Sequence, residues 1–110
     1  MAEYLLTERY KDAAAVIIGG VLEEHLRQLA ARAQIPVEEP KNEKVVARKA
    51  ESLNADLAKA GVYAKLDQKA VTFWLDLRNK AAHAKYTEYA HEQVELMYAG
   101  VRDFVMRNPR

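Results

Sequence analysis

Apolar residues recur at helical spacing through the first third of the chain. From Leu6 to Leu29 they follow one another three or four positions apart and form a wide stripe. A wide stripe is typical of a helix that packs on two sides, against its own bundle and against a partner. The pattern predicts a first helix over about residues 3–34. The stripe comprises Leu6, Tyr10, Ala13, Ala14, Ile17, Ile18, Val21, Leu22, Leu26 and Leu29.

Two adjacent glycines, Gly19 and Gly20, interrupt this stripe. Because two glycines inside a helix cost roughly 2 kcal/mol relative to alanine, they need a structural reason. We favour the close approach of another helix, and a kink is the alternative. His25 lies at the edge of the stripe. We expect it to be an interfacial or partly buried histidine rather than a catalytic one.

Two prolines, Pro36 and Pro40, end the first helix, since neither can donate a helical hydrogen bond. A second helix is expected to follow, with Asn42 as its N-cap and Gly61 as its C-terminal cap. No strand pattern competes with this helix, so the sequence predicts no strand. The apolar stripe of the second helix is Val46, Ala50, Leu53, Leu57 and Ala60.

The third helix begins near Asp67, its candidate N-cap, and ends near His83. Phe73 and Trp74 are its largest apolar residues, and we expect both to anchor the core. The helical pattern stops over residues 84–88, so a break is expected there.

A fourth helix is predicted over about residues 90–107, where Gly100 permits close packing against a neighbour. Tyr86 and Tyr89 stand in the preceding break. They either cover the end of the bundle, which we favour, or stack on a nucleotide. Four amphipathic helices with short connections predict an all-α fold, an antiparallel four-helix up-and-down bundle. The whole chain, residues 1–110, is expected to form one helical domain.

Composition agrees with one small globular domain. Of the 110 residues, 50% are hydrophobic and 30% are charged, a balance far from that of disordered chains. This length supports a single modest core. The formal net charge of +1 neither predicts nor excludes a nucleic-acid partner. The chain has no cysteine, which excludes disulfides and cysteine-based zinc sites.

No segment of the sequence predicts export or membrane insertion. The N-terminus mixes charged and apolar residues, and no apolar run approaches the ~18 residues that a membrane span needs. We therefore expect a soluble, cytoplasmic protein with no membrane partner. The three histidines lack a suitable carboxylate pairing, so we expect neither a metal site nor a cofactor.

The chemically distinctive stretch runs from Asp76 to His83. It places Arg78, Asn79 and His83 within about one and a half helical turns. At about 100° per residue, His83 falls on the opposite side of the helix from Trp74. Asn79 lies one turn before His83, so the two side chains stack. We expect this pair to face solvent or a second subunit.

The run from Arg78 to His83, Arg-Asn-Lys-Ala-Ala-His, resembles the R-polar-x3-H signature of HEPN domains. These are small helical bundles common in prokaryotic toxin and defence systems. The surrounding residues 65–107 also resemble short stand-alone bacterial members of the family. In catalytic members, the arginine, the polar residue and the histidine form a metal-independent endoribonuclease site that is shared across a dimer. The resemblance implies these catalytic roles for Arg78, Asn79 and His83.

Some toxin members of the family carry a tyrosine two residues after the histidine, where a partner nucleotidyltransferase modifies it. Here Lys85 holds that place and Tyr86 follows it, so the sequence departs from the pattern. The resemblance implies a nucleotidyltransferase-type antitoxin as a partner, and the departure leaves modification of Tyr86 open. Lys80 and Tyr86, within and just after the motif, are our candidate substrate-binding residues.

The chemistry of these residue types fits RNA cleavage. Histidine titrates near neutrality and serves as a general acid or base, while arginine offers a cationic fork for phosphate oxygens. Asn79 can orient His83 or the phosphate by a hydrogen bond. One His83 per chain is short of a two-group mechanism, and a twofold homodimer supplies the second. The reaction that the resemblance implies is endonucleolytic and leaves a 2′,3′-cyclic phosphate.

Three other interpretations stay open at this stage. The same run can simply place cations near the negative C-terminal end of a helix. The chain can be a non-catalytic dimeric module that binds RNA, a nucleotide or a protein partner such as a minimal nucleotidyltransferase. It can also be a toxin whose activity appears only when its antitoxin is absent.

Overall fold

In the computed structural model, which describes residues 10–83 and 85–110, the chain is mostly helical and four helices pack together. They are α1 (Lys11–Arg32), α2 (Ala50–Lys59), α3 (Lys65–Ala82) and α4 (His91–Arg107). A hairpin of two strands, β1 (Glu38–Lys41) and β2 (Lys44–Ala47), lies between α1 and α2. A 3₁₀ turn (Tyr86–Glu88) lies between α3 and α4. The predicted start of the first helix, at residue 3, and Ala84 in the predicted break lie outside the described residues.

The segment predicted to begin the second helix forms the hairpin instead, so the prediction of no strands was wrong. β1 and β2 pair antiparallel, with Lys41 opposite Lys44. Between them Asn42 and Glu43 have φ angles of 51° and 65°, as in the two-residue turns that join hairpin strands. Asparagine tolerates this left-handed conformation, and the β-branched pair that ends in Val46 favours a strand. Asn42 is therefore a turn residue and not an N-cap.

The observed bounds of α2 and α3 differ in part from those predicted. α2 begins only at Ala50, and its C-cap Ala60 is followed by Gly61 with a φ of 78°. The predicted glycine at the end of this helix is confirmed, because the left-handed conformation favours glycine after the last turn. The N-cap of α3 is Ala64, so the prediction of Asp67 for that position was wrong. Asp67 instead lies in the first turn.

The core lies between α1 and α3, which contact each other and both of the other helices. Trp74 is buried as predicted, with 8% of its surface exposed, and it packs edge-on against Phe104. The prediction that Phe73 anchors the core was wrong, since it is 43% exposed. It lies about 100° around α3 from Trp74, beyond the edge of the buried face.

Two glycines permit helices to approach closely. A Cβ atom at Gly19 would collide with the Arg78 side chain, and one at Gly100 would collide with the Trp74 ring. The predicted close approach is therefore confirmed at Gly19 and at Gly100. At Gly20, by contrast, a Cβ atom would meet no described atom within 4 Å.

Tyr89 covers one end of the bundle, as favoured from the sequence. It is 5% exposed, and the Lys11 ammonium group donates a hydrogen bond of 2.7 Å to its carbonyl oxygen. The same ammonium nitrogen lies 4.2 Å from the centroid of the Tyr89 ring. The side chain of Tyr86 lies outside the described part of the chain. None of the described helices is both long and apolar enough to span a membrane.

Candidate functional site

Arg78 joins α3 to α1. Its Nη1 atom donates to the Glu23 carboxylate over 2.7 Å, and its aliphatic part packs over Gly19 on the same face of α1. The side chain is 18% exposed. Its Nη2 atom donates to no other group within residues 10–83 and 85–110. The guanidinium group is thus fixed through Nη1, and no described residue accepts a hydrogen bond from Nη2.

Glu23 accepts hydrogen bonds from two arginines. Besides Arg78, it accepts a hydrogen bond of 2.8 Å from Arg27, one turn further along α1. Partial burial on its own would raise the pKa of the Glu23 carboxyl. The hydrogen bonds and charges of Arg27 and Arg78 outweigh burial and lower this pKa below its ordinary value. Arg27 also donates to the carbonyl oxygen of Arg48 over 2.8 Å. This hydrogen bond connects the cluster of Glu23, Arg27 and Arg78 to the end of the hairpin.

Asn79 extends the cluster to α2. Its Oδ1 atom accepts a hydrogen bond of 3.2 Å from Nε of Arg78, and its Nδ2 atom donates to Glu51 over 3.1 Å. Asn79 is half-buried, so it is less open to solvent than the sequence suggested. These contacts orient the guanidinium group, whereas the expected hydrogen bond was to His83 or a phosphate.

His83 is the first residue after α3 and is exposed. Its backbone N–H donates to the carbonyl oxygen of Asn79 over 3.0 Å, which closes the last turn of the helix. The imidazole makes no hydrogen bond within the described ranges. His83 therefore faces outward, as predicted, near the end of α3 that carries Arg78 and Asn79.

The two candidate substrate-binding residues lie on either side of His83, one in the last turn of α3 and one in the 3₁₀ turn that follows. Lys80 is half-buried and forms an ion pair of 3.0 Å with Asp76, one turn earlier on α3. The backbone of Tyr86 begins the 3₁₀ turn, and its side chain is not described. Lys85, which holds the place of the tyrosine found in some HEPN toxins, donates its backbone N–H to the carbonyl oxygen of Lys80 over 2.9 Å.

Glu23, Arg27 and Glu51 belong to the cluster but were not predicted as site residues. The spacing of Gly19, Glu23 and Arg27 by four places them on one face of α1, and this is the one sequence signal that groups them. Nothing in the sequence relates that face to Arg78, which lies 55 residues after Glu23. Such pairings arise only when the helices pack.

The other two histidines have structural contacts. His25 is 5% exposed, contacts the carbonyl oxygen of Asn108 through Nε2 and packs edge-on against Phe104. This agrees with the expected structural role. His91 contacts Glu95 over 2.9 Å at the start of α4. Within the described ranges, no group of three or more His, Asp or Glu side chains could hold a metal ion.

Together, these contacts present a half-buried arginine with one available terminal nitrogen and an exposed imidazole near the end of one helix. A guanidinium group can hold a phosphate oxygen, and an imidazole can transfer a proton. Comparison of the chain with protein-family models, curated proteins and solved structures found no match in any of the three.

Proposed function

We propose that this chain is a HEPN-type, metal-independent endoribonuclease that cleaves single-stranded RNA at a site shared by two copies. The observation that carries the proposal is the oriented guanidinium group of Arg78. Glu23 and Asn79 hold one side of it, and Nη2 is left for a ligand. Its neighbour in the motif, His83, is exposed. The resemblance of residues 78–83 to the HEPN signature supplies the reaction class.

In the proposed reaction, the ribose 2′-oxygen attacks the adjacent phosphorus and the bond from phosphorus to the 5′-oxygen breaks. One His83, as the neutral imidazole, takes the proton from the 2′-hydroxyl group. The His83 of the second copy, as the imidazolium, gives a proton to the leaving 5′-oxygen. Arg78 stabilises the negative charge that builds on the phosphorane oxygens. The products are a 2′,3′-cyclic phosphate and a free 5′-hydroxyl group.

Two copies are required because each chain brings one His83 to this motif. A twofold axis that brings the copies together provides both the acid and the base. Within each copy, we propose that the four packed helices form the antiparallel up-and-down bundle of the HEPN fold. The hairpin is then an insertion between the first two helices.

The remaining parts of the proposal concern partners. Lys80 and Tyr86 stand beside the motif and would contact the RNA. The enzyme would act as the toxin of a toxin–antitoxin or defence system in the cytoplasm. A nucleotidyltransferase-type protein is the proposed antitoxin, because the family resemblance includes toxins that such enzymes modify.

The direct test is cleavage of single-stranded RNA in the presence of EDTA, because the proposed mechanism uses no metal. We expect products that end in a 2′,3′-cyclic phosphate, and no cleavage of DNA with the same base sequence, which lacks the 2′-hydroxyl group. A variant with both Arg78→Ala and His83→Ala, purified in parallel, controls for contaminating ribonuclease. If the wild type and this variant cleave equally, the proposal fails.

A second function is favoured by another observation at the same site. The ion pair of Arg78 with Glu23 and its packing over Gly19 would also suit an arginine that holds α3 against α1 and binds a ligand without taking part in catalysis. The chain would then be a non-catalytic dimer that binds RNA, a nucleotide or a protein partner. This function predicts RNA binding that weakens in Arg78→Ala, with no cleavage by the wild type at any protein concentration.

A further inference from the structure

Gly20 has no structural explanation within the described part of the chain. It is exposed in the middle of the 22-residue helix α1, and a Cβ atom there would meet no atom of residues 10–83 and 85–110 within 4 Å. Glycine weakens the interior of a helix, so a neighbour that needs the space is the usual reason for its presence. Gly19 has such a neighbour in Arg78. No described residue occupies the space in front of Gly20.

The surface around Gly20 combines exposed apolar residues with the charged side chains of Glu24 and Arg110. Val16 and Val21 are 41% and 55% exposed, and Ile17 between them is half-buried. A hollow of about 540 Å³ adjoins them, with Gly20, Val21 and Val105 among its lining residues. Exposed valines around an open glycine, beside a hollow, form a surface on which a second helix can pack closely.

This surface continues into the candidate site. Val16, Gly20 and Glu23 follow one another by four and then three positions, so they form one stripe along α1. Glu23 holds Arg78 at 2.7 Å. A helix that crosses α1 at Gly20 therefore comes within about one turn of the residues that orient the guanidinium group.

We propose that the occupant of this surface is α1 of a second copy, which crosses the first antiparallel with Gly20 facing Gly20. This rests on the proposed function, whose site is incomplete without a second His83. On a twofold axis the crossing residue meets its own copy, so one glycine per chain removes the obstruction from both sides.

The antiparallel direction follows from where Arg78 lies. If the twofold axis lies in the interface at right angles to α1, the two helices run antiparallel and both Arg78 clusters fall on the same side of the helix pair. If the axis is parallel to α1, the clusters fall on opposite sides. Only the antiparallel pairing lets the two sites open into one cleft.

Single cysteines test the crossing point, because the chain has none of its own. A disulfide forms where two Cα atoms come within about 4.4–6.8 Å. We expect Gly20→Cys to give a disulfide-linked dimer under mild oxidation. Leu66→Cys and Leu96→Cys, at positions 78% and 68% exposed on α3 and α4, are the controls and should stay unlinked.

Mixed cysteine variants test the direction. Val16 and Glu24 lie four residues on either side of Gly20. In an antiparallel pair, a Val16→Cys chain should link to a Glu24→Cys chain when the two are mixed, and each alone should link poorly. Efficient linking of Val16→Cys to itself would indicate a parallel pair and would overturn the proposal.

A substitution that keeps the helix provides a second measurement. Leucine favours helix, so Gly20→Leu should remain folded by circular dichroism while the bulky side chain fills the crossing point. We expect the dimer dissociation constant to rise at least ~10-fold. The control Leu66→Asp should leave that constant unchanged.

Cleavage of RNA in EDTA, measured on the same samples, separates this inference from the proposed function. If the wild type is a dimer but Gly20→Cys forms no disulfide-linked dimer, the inference is wrong. If that wild type still cleaves RNA, the proposed ribonuclease function is retained. A wild type that light scattering shows to be monomeric would also overturn the inference. If Gly20→Cys forms the linked dimer but the wild type never cleaves RNA, the result supports the interface and contradicts the proposed ribonuclease function.

Discussion

Arg78 and His83 serve one transition state in the proposed mechanism, and this fixes how their substitutions should combine. Removing the general acid and base with His83→Ala should lower the cleavage rate at least ~100-fold. Arg78→Ala should lose a comparable amount, and the double variant little more, because both residues act on the same step. Single-turnover cleavage of an RNA oligonucleotide in EDTA measures all three.

The matched control is His91→Ala. His91 contacts Glu95 at the start of α4 and has no part in the proposed site, so this variant should cleave like the wild type. Circular dichroism should show that His83→Ala remains folded, since His83 is exposed. The same measurement on Arg78→Ala separates lost folding from lost catalysis, since Arg78 contacts Glu23 and packs over Gly19. Undiminished cleavage by His83→Ala would mean that the activity belongs to a contaminant or to another site.

Glu23 should couple folding to pH. Its pKa lies below the ordinary 4.5, because hydrogen bonds and charges from Arg27 and Arg78 outweigh the effect of burial. A pKa that is lower in the folded state stabilises the fold above the unfolded pKa, and this stability is lost as the pH falls through the folded value. Glu23→Gln should therefore be less stable than the wild type at pH 7, and the difference should shrink below about pH 4.5.

Urea midpoints measured from pH 3 to pH 7 test this coupling. Glu38→Gln, on the exposed strand β1, is the control and should follow the wild type throughout. If Glu23→Gln is less stable than the wild type by the same amount at every pH, the charge of the Glu23 carboxylate does not matter for stability.

At the scale of single residues, the sequence predicted Arg78, Asn79 and His83 as neighbours. It could not predict Glu23, because the partner on α1 is fixed only by helix packing.

At the scale of elements, helices with long apolar stripes were predicted and the hairpin was missed. The stripe that contains Trp74 is long enough to specify a helix, so the predicted bounds of α3 were close to the observed ones. The hairpin strands have four residues each and are nearly all exposed, so they show no alternation of buried and exposed positions. Asn42 was wrongly predicted as an N-cap because asparagine favours both helix N-caps and left-handed turn positions.

Glu43 is the strained member of that turn, since it has a φ of 65° without being glycine. Glu43→Gly should relieve this strain and stabilise the protein by about 0.5–1 kcal/mol. Glu39→Gly, within β1, should destabilise it, because glycine weakens a strand. Urea unfolding measures both changes. A destabilised Glu43→Gly would contradict the turn geometry, and a stabilised Glu39→Gly would contradict the strand at that position.

At the scale of the whole molecule, the sequence correctly predicted a mostly helical chain with four packed helices, but it could not show which surfaces stay exposed after packing. Val21 belongs to the same apolar stripe as Leu22 and Leu26, yet Val21 is exposed and the two leucines are fully buried. Periodicity cannot separate them, because it marks an apolar face without saying what covers it. The part of that face that no described residue covers is where we propose that the second copy packs.

A composite site predicts how wild-type and inactive chains behave together. If both His83 residues of a dimer are needed, a dimer with one His83→Ala chain is inactive. Adding an equal amount of His83→Ala to a fixed amount of wild type, with time for exchange, leaves about half of the original wild-type dimers. Total cleavage should therefore fall to about half, because pairing is random and the mixed dimers do nothing.

Independent sites give a different result, since each wild-type chain would keep its activity and the added chains would change nothing. His91→Ala chains, which retain His83, are the control and should about double the total rate when added in the same amount. Subunit exchange is verified by recovering untagged chains with a tagged partner. With exchange shown, a rate that stays constant on addition of His83→Ala would rule out the need for two histidines, and each chain would then have to supply its own acid and base.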